Sequence, residues 1–290
     1  MPLAKIARVC VGLFFLFLVE SVSAGNLWEW WVRSTGAPGA RASTFIRNIR
    51  NITLPVFNRS EFDSTRVRLV DHVGQNVIIR MPNPAIKGAF AEEEFYEGIR
   101  DVLPEGMSRD LSTRKIISFN LMHPWAEYEE YSVEKSWFEA QENREFRNYP
   151  QLGSFLSAKW LPKWARDLLV PYRRHLGLST AEVVDDLHSE VLDQSGKPKI
   201  IVVHCVSGKD RTGMIINDYL MAYKGKSYED VIKEGFVITG ERQDVWSRTS
   251  SRWMALHRAK TLPTVGTEEE IMAFDDVNVA LLPRPMGQSK

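Results

Sequence analysis

The chain is 290 residues long, 44% hydrophobic and 26% charged, enough apolar material for one substantial core, which excludes a largely disordered chain. Lysine plus arginine and aspartate plus glutamate both number 37, so no overall field draws it to nucleic acid, and any basic site must be local. Its 2 cysteines, Cys10 and Cys205, are too few for a disulfide framework; no repeat, zinc-type ligand spacing or nucleotide-binding glycine motif occurs, and neither a metal nor a cofactor is expected.

Lys5 and Arg8 precede an apolar run over residues 9–19, too short to span a bilayer comfortably, and Val22-Ser23-Ala24 offers small residues for cleavage. Residues 1–24 thus read as a secretory signal peptide, which predicts a secreted or periplasmic protein; an uncleaved anchor is the alternative. Cleavage would remove Cys10 and leave Cys205 as the sole thiol. Residues 25–65 read as an N-terminal extension. Its Trp28, Trp30 and Trp31, with Arg41, Arg47, Arg50 and Arg59, suit packing over the edge of a core or contact with a membrane surface. Asn51-Ile52-Thr53 and Asn58-Arg59-Ser60 match the glycosylation pattern.

From there the chain alternates between two periods. Short strands are expected at 67–70 and 76–80, a helix over 92–103 and a buried strand at 115–120. Residues 159–169 mix Trp160 and Trp164 with lysines, arginine and leucine, a pattern for a lid, a membrane-facing helix or, preferred from the spacing, an amphipathic core helix with Trp and Leu inward. A helix capped by Ser179 or Thr180 should bury Val183, Val184, Leu187 and Val191 and leave Asp185 and Asp186 to solvent. The β-branched run at 199–203 suits a central strand, and 212–223 a helix stopped by Gly225. Ser227-Tyr228-Glu229-Asp230 opens another helix, residues 240–243 form a loop able to approach a site, an amphipathic stretch carries Trp253 and Leu256, and Thr267 starts a last short helix before a tail. The order predicts an α/β fold: one domain over 66–262, a mostly parallel sheet with helices on both faces, then a C-terminal helix and tail over 263–290.

Between the central strand and its helix lies His204-Cys205-Val206-Ser207-Gly208-Lys209-Asp210-Arg211-Thr212-Gly213. A loop of small residues feeding a helix offers successive N–H groups to an anion, backed by the helix dipole. Val206 through Arg211 would form that cradle. Cys205 at its floor would be a thiolate able to attack phosphorus. Arg211, six positions on, would grip two phosphate oxygens with its planar fork, which a lysine cannot do. Thr212 would donate to the sulfur, and His204 would set the loop and the thiolate's field from the strand. Lys209 and Asp210 carry opposite charges within the cradle, so each could act on a substrate or merely on the other.

This run is similar to the His-Cys-x5-Arg-[Ser/Thr] signature of the protein tyrosine phosphatase superfamily, and its Gly-Lys-Asp-Arg-Thr-Gly part resembles the loop of secreted bacterial tyrosine and lipid phosphatases. Dual-specificity phosphatases resemble the same layout. The resemblance implies hydrolysis of phosphotyrosine, phosphoserine/threonine or phosphoinositides through a phosphocysteine, with no metal. Lys209 suits substrates bearing extra phosphates. Many members carry a general acid on a loop about thirty residues before the cysteine, and this chain has no carboxylate between Leu168 and Ala181. Asp210 therefore ranks first as proton donor and Asp167 second. A phosphate-binding pseudophosphatase with little turnover is the alternative.

Overall fold

The computed structural model describes residues 61–154, 156–171 and 180–274. The expected signal peptide, most of the extension with its tryptophans and glycosylation triplets, the Ser179 cap and the final tail lie outside the described residues.

Seven strands and eight helices are numbered here in chain order among those residues. The strands are β1 (Arg68–Val73), β2 (Asn76–Pro82), β3 (Ala85–Ile86), β4 (Ala89–Phe90), β5 (Lys115–Asn120), β6 (Arg144–Asn148) and β7 (Lys199–Cys205). The helices are α1 (Glu92–Val102), α2 (Tyr128–Glu139), α3 (Lys163–Leu169), α4 (Thr180–Leu192), α5 (Asp210–Lys224), α6 (Tyr228–Thr239), α7 (Val245–Arg258) and α8 (Glu268–Ala273). The main sheet runs in the order β1-β2-β7-β5-β6. Only β1 is antiparallel to its neighbour, so the sheet is mostly parallel, as expected.

Because β7 is central, both of its faces must be apolar, and its β-branched run satisfies both. Ile201, Val203 and Cys205 face one layer, joined by Ile78 of β2 and by Ile117 and Phe119 of β5. That layer is closed by Val184 and Leu187 of α4, Ile215 and Tyr219 of α5, Val231 of α6 and Trp253 of α7. Ile200 and Val202 face the opposite way, with Val77, Ile79 and Met81, against Phe95 and Ile99 of α1 and Phe138 of α2. The two-residue period of each strand thus divides the core into two slabs with helices on both faces. Val265 and Ile271, beyond α7, bury into the first slab, and a capping box between Thr267 and Glu270 opens α8.

Three local outcomes differ from the sequence reading. In residues 159–169, Ala165 and Leu169 are buried, while Trp160, Trp164 and Leu168 are 74%, 66% and 57% exposed. The core-helix expectation with its tryptophans inward is therefore corrected: α3 buries only Ala165 and Leu169, and Trp164, with Trp160 just ahead of the helix, faces outward. Asp185 and Asp186 are not simply solvated, for they accept hydrogen bonds from Tyr223 and Tyr149 respectively. Finally, α2, β6 and the small β3–β4 hairpin were not expected. Strand β6 is a polar edge, and α2 buries only Glu134 and Phe138 fully, so neither shows a clear apolar period.

Candidate active site

Strand β7 ends at Cys205 and α5 begins at Asp210, so the intervening loop sits outside the carboxyl end of the central strand, where open α/β sheets bind ligands. Three consecutive carbonyls of this loop are held from outside it. Val206 O accepts from the Asn83 N–H at 3.1 Å, Ser207 O from Arg66 Nη1 at 3.0 Å, and Gly208 O from Arg80 Nη2 at 2.8 Å. In a trans peptide the N–H opposes the C=O, so anchoring the carbonyls outward leaves the amides for the interior of the bowl.

Gly208 makes the close approach possible. Its φ is +66°, and a Cβ there would lie 2.5 Å from Met81 O and 2.7 Å from Met81 C, both backbone atoms that cannot swing away. Left-handed strain and overpacking then act together, so Gly208→Ala is expected to cost about 3 kcal/mol and to lower Tm by roughly 10 °C in thermal denaturation. An unchanged Tm would contradict this packing.

Cys205 is buried, which pushes its thiol up, yet the Arg211 guanidinium and the hydroxyl and N–H of Thr212 outweigh that and hold it below the ordinary thiol range. The Thr212 hydroxyl is buried and makes no other hydrogen bond, and its nearness to the sulfur favours the thiolate. Arg211 is itself clamped. Its Nη1 and Nη2 donate to Glu127 Oε2 and Oε1 at 2.9 and 2.5 Å, and Nη1 also reaches Leu121 O at 3.3 Å. Glu127 Oε2 further accepts the His123 N–H at 2.8 Å. Burial would raise the Glu127 carboxyl, but Arg211 keeps it below the usual range, and it remains an anion. The fork is thereby fixed in one plane before any substrate arrives.

Behind the nucleophile, His204 Nε2 lies 2.8 Å from Glu134 Oε1 and 3.1 Å from Ser118 Oγ. Glu134 also accepts from Ser118 Oγ at 2.6 Å and from Asn120 Nδ2 at 2.7 Å, so this fully buried carboxylate is saturated. Burial would lower the His204 imidazole, but Glu134 outweighs it and raises it above the ordinary value. At the helix side, Asp210 Oδ1 accepts the Asp244 N–H at 2.6 Å, and Gln243 Nε2 donates to Asp210 O at 3.1 Å. The loop at 240–243 does approach the site. Burial, aided by the Asp244 carboxylate, pushes the Asp210 carboxyl above the usual aspartate range, with the Asp244 N–H and Lys209 opposing.

The structure therefore brings His204, Cys205, Val206, Ser207, Gly208, Lys209, Asp210, Arg211 and Thr212 together around one bowl. Lys209 Nζ donates to Glu241 Oε2 at 2.9 Å. Asp167 is tied to Lys163 on α3 and, among the described residues, shares no hydrogen bond or ion pair with the loop. Sequence reasoning missed Glu127, Glu134, Arg66, Arg80 and Asn83. One signal existed for Glu127: it follows the carboxyl end of the strand at 115–120, the side of a parallel sheet where binding residues gather. Among the described residues no group of three or more His, Cys, Asp or Glu side chains is placed to hold a metal ion, and no helix is long and apolar enough to cross a membrane.

The sequence model of the tyrosine phosphatase family matches residues 124–278, from just before Glu127 to beyond α8. Among solved structures, the chain is similar to the core catalytic domain of the PP-IP phosphatase SIW14 from S. cerevisiae in complex with citrate. That likeness has a TM-score of 0.37 and 14% identity, covering 71% of this chain and 94% of the other. No curated protein matches it. With the family match spanning more than half of its 290 residues and including the whole Cys205-to-Arg211 loop, this chain belongs to the tyrosine phosphatase family.

Proposed function

We propose that the chain hydrolyses aryl phosphomonoesters, phosphotyrosine in proteins above all, through a phosphocysteine. The observation that carries this is a buried, low-pKa Cys205 facing a loop whose arginine is already clamped flat by Glu127. In the first step the Cys205 sulfur forms a bond to phosphorus as the ester P–O bond breaks, while Asp210 gives its proton to the departing oxygen. In the second, water attacks phosphorus, its proton returns to Asp210, the S–P bond breaks and the thiolate leaves, steadied by Thr212. The loop amides and Arg211 hold the equatorial oxygens throughout.

An aromatic leaving group suits the surroundings. Tyr128 follows Glu127 of the Arg211 clamp in the chain, Trp246 lies two residues beyond Asp244, and both rings are more than half exposed, which supports an aromatic ester as substrate. Phosphoserine/threonine and phosphoinositides are the competing substrates, favoured by Lys209; its ion pair with Glu241 offsets that charge. Contact with a membrane surface belongs to the same reading, supported by the outward Trp160 and Trp164, and nucleic acid has no part in it.

Turnover needs Cys205 ionised and Asp210 protonated. The rate should therefore rise and then fall with pH, a bell-shaped kcat/KM profile in which ionisation of Cys205 lifts the rate and ionisation of Asp210 lowers it. Asp210→Asn should flatten the alkaline limb. It should also slow an unactivated alkyl phosphate by about a hundredfold or more while slowing p-nitrophenyl phosphate less than about tenfold, since a good leaving group needs little proton donation. Equal losses on both would remove Asp210 from the role of acid. A panel of phosphotyrosine and phosphoserine peptides and soluble phosphoinositides then ranks the substrates, and oxyanion binding with no turnover on any of them would leave a pseudophosphatase. Export completes the reading, supported by residues 1–24; N-terminal sequencing of the secreted chain should begin at Gly25, and an intact Met1 on it would refute cleavage.

A further inference from the structure

We propose that Arg80 is a positioning residue for this chemistry: a buried cation whose counter-ion is the Cys205 thiolate and whose side chain holds Gly208 in place. The inference rests on the phosphatase reading above and extends it to a residue outside the signature loop. Arg80 lies on β2, which runs parallel to β7 with Arg80 opposite Val203 and Pro82 opposite Cys205. Since alternate residues share a face, Arg80 points to the same side as Val203 and Cys205, one step behind the nucleophile. It is 2% exposed, its Nη2 donates to Gly208 O at 2.8 Å, and its Nε is buried with no hydrogen-bond partner.

A buried guanidinium requires a compensating anion. Every other cation facing the site has a carboxylate. Arg211 has Glu127, His204 has Glu134, Lys209 has Glu241, and Arg66 has Asp63 and Glu241. Among the described residues no carboxylate forms an ion pair with Arg80. Burial draws its pKa down to about 10, and the charge that most supports its protonated form is Cys205, followed by Glu234 of α6; Arg66 and Arg68 oppose it. Arg211 acts more strongly on the sulfur than any other charge, but it carries the opposite charge of Glu127 with it, and Asp210 works against the thiolate. Among the described residues, Arg80 is the cation of this site that no carboxylate contacts, Glu234 acting on it only from a distance. Its hydrogen bond adds a geometric role, because turning the Gly208 carbonyl outward is what leaves the loop amides to the anion.

The test reads the thiol rather than turnover. Cys205 alkylation by iodoacetamide, measured against pH on the full chain, should slow about tenfold near pH 6 in Arg80→Gln, which keeps a donor but loses the charge, and stay within about threefold of the parent in Arg80→Lys. A folded Arg80→Gln protein that alkylates at the parent rate overturns the proposal. Should that variant not fold, a second measurement leaves Arg80 untouched: its secluded Nε–H, followed by 15N–1H NMR and assigned with Arg80→Lys, should shift with the midpoint of Cys205 titration and show no such shift in Cys205→Ser. A signal indifferent to Cys205 also overturns it. Neither readout needs a substrate, so absence of phosphatase activity would defeat the functional reading and leave this one standing, and the reverse holds equally.

Discussion

Cys205→Ser is expected to abolish turnover, by on the order of a thousandfold or more, while leaving inorganic phosphate binding at least as tight as in the parent. The two halves of that expectation have separate causes. A serine hydroxyl is not ionised near neutral pH and cannot attack phosphorus as the thiolate does, so the chemical step is lost. The binding donors are untouched, because the three loop carbonyls remain anchored by Asn83, Arg66 and Arg80, and the Arg211 fork remains on Glu127. Removing the negative charge of the sulfur also removes a repulsion felt by a dianion. Burst kinetics on p-nitrophenyl phosphate and calorimetric titration with inorganic phosphate check both halves. Full activity in the serine variant would end the covalent mechanism.

Arg211→Lys should be nearly as damaging, about a thousandfold in kcat/KM, although the charge is kept. Lysine can pair with Glu127 as a point charge, but it cannot meet that carboxylate and two phosphate oxygens with coplanar donors. Loss of transition-state contacts lowers kcat, and loss of the preset plane raises KM. Glu127→Gln separates these effects, since it frees the fork without removing it; its loss should be about tenfold to a hundredfold and should fall mainly on KM. A lysine variant with kcat/KM within tenfold of the parent would show that charge alone suffices.

The parts of this site legible from sequence are those that lie within a few residues of one another. Strand, loop and helix from Lys199 to Lys224 form one continuous stretch, with Gly225 in the left-handed conformation ending the helix, so period and spacing describe them fully. Glu134 and Arg80 were not legible, and Glu127 was marked only by its place beyond a strand end, because each acts through a contact 70 or more residues away in the chain. In sequence, Glu134 is one acid among several on a charged helix, and only the fold buries it against His204. The outward Trp160 and Trp164, before and within α3, have the opposite cause. Their spacing is compatible with a buried face, and the choice of which stripe goes inward is made by Ala165 and Leu169, which are small and branched enough to sit against the core.

The segment matched by the family, 124–278, holds just two strands of the main sheet, β6 and β7, and those two do not touch; β5 lies between them and β2 on the far side of β7. Both β5 and β2 precede residue 124, as do Arg66, Arg80 and Asn83. The signature loop is therefore not a portable cassette. Excised at the family boundary, the nucleophile would stand on a strand with two bare edges, and the amides meant for phosphate would have nothing to aim them.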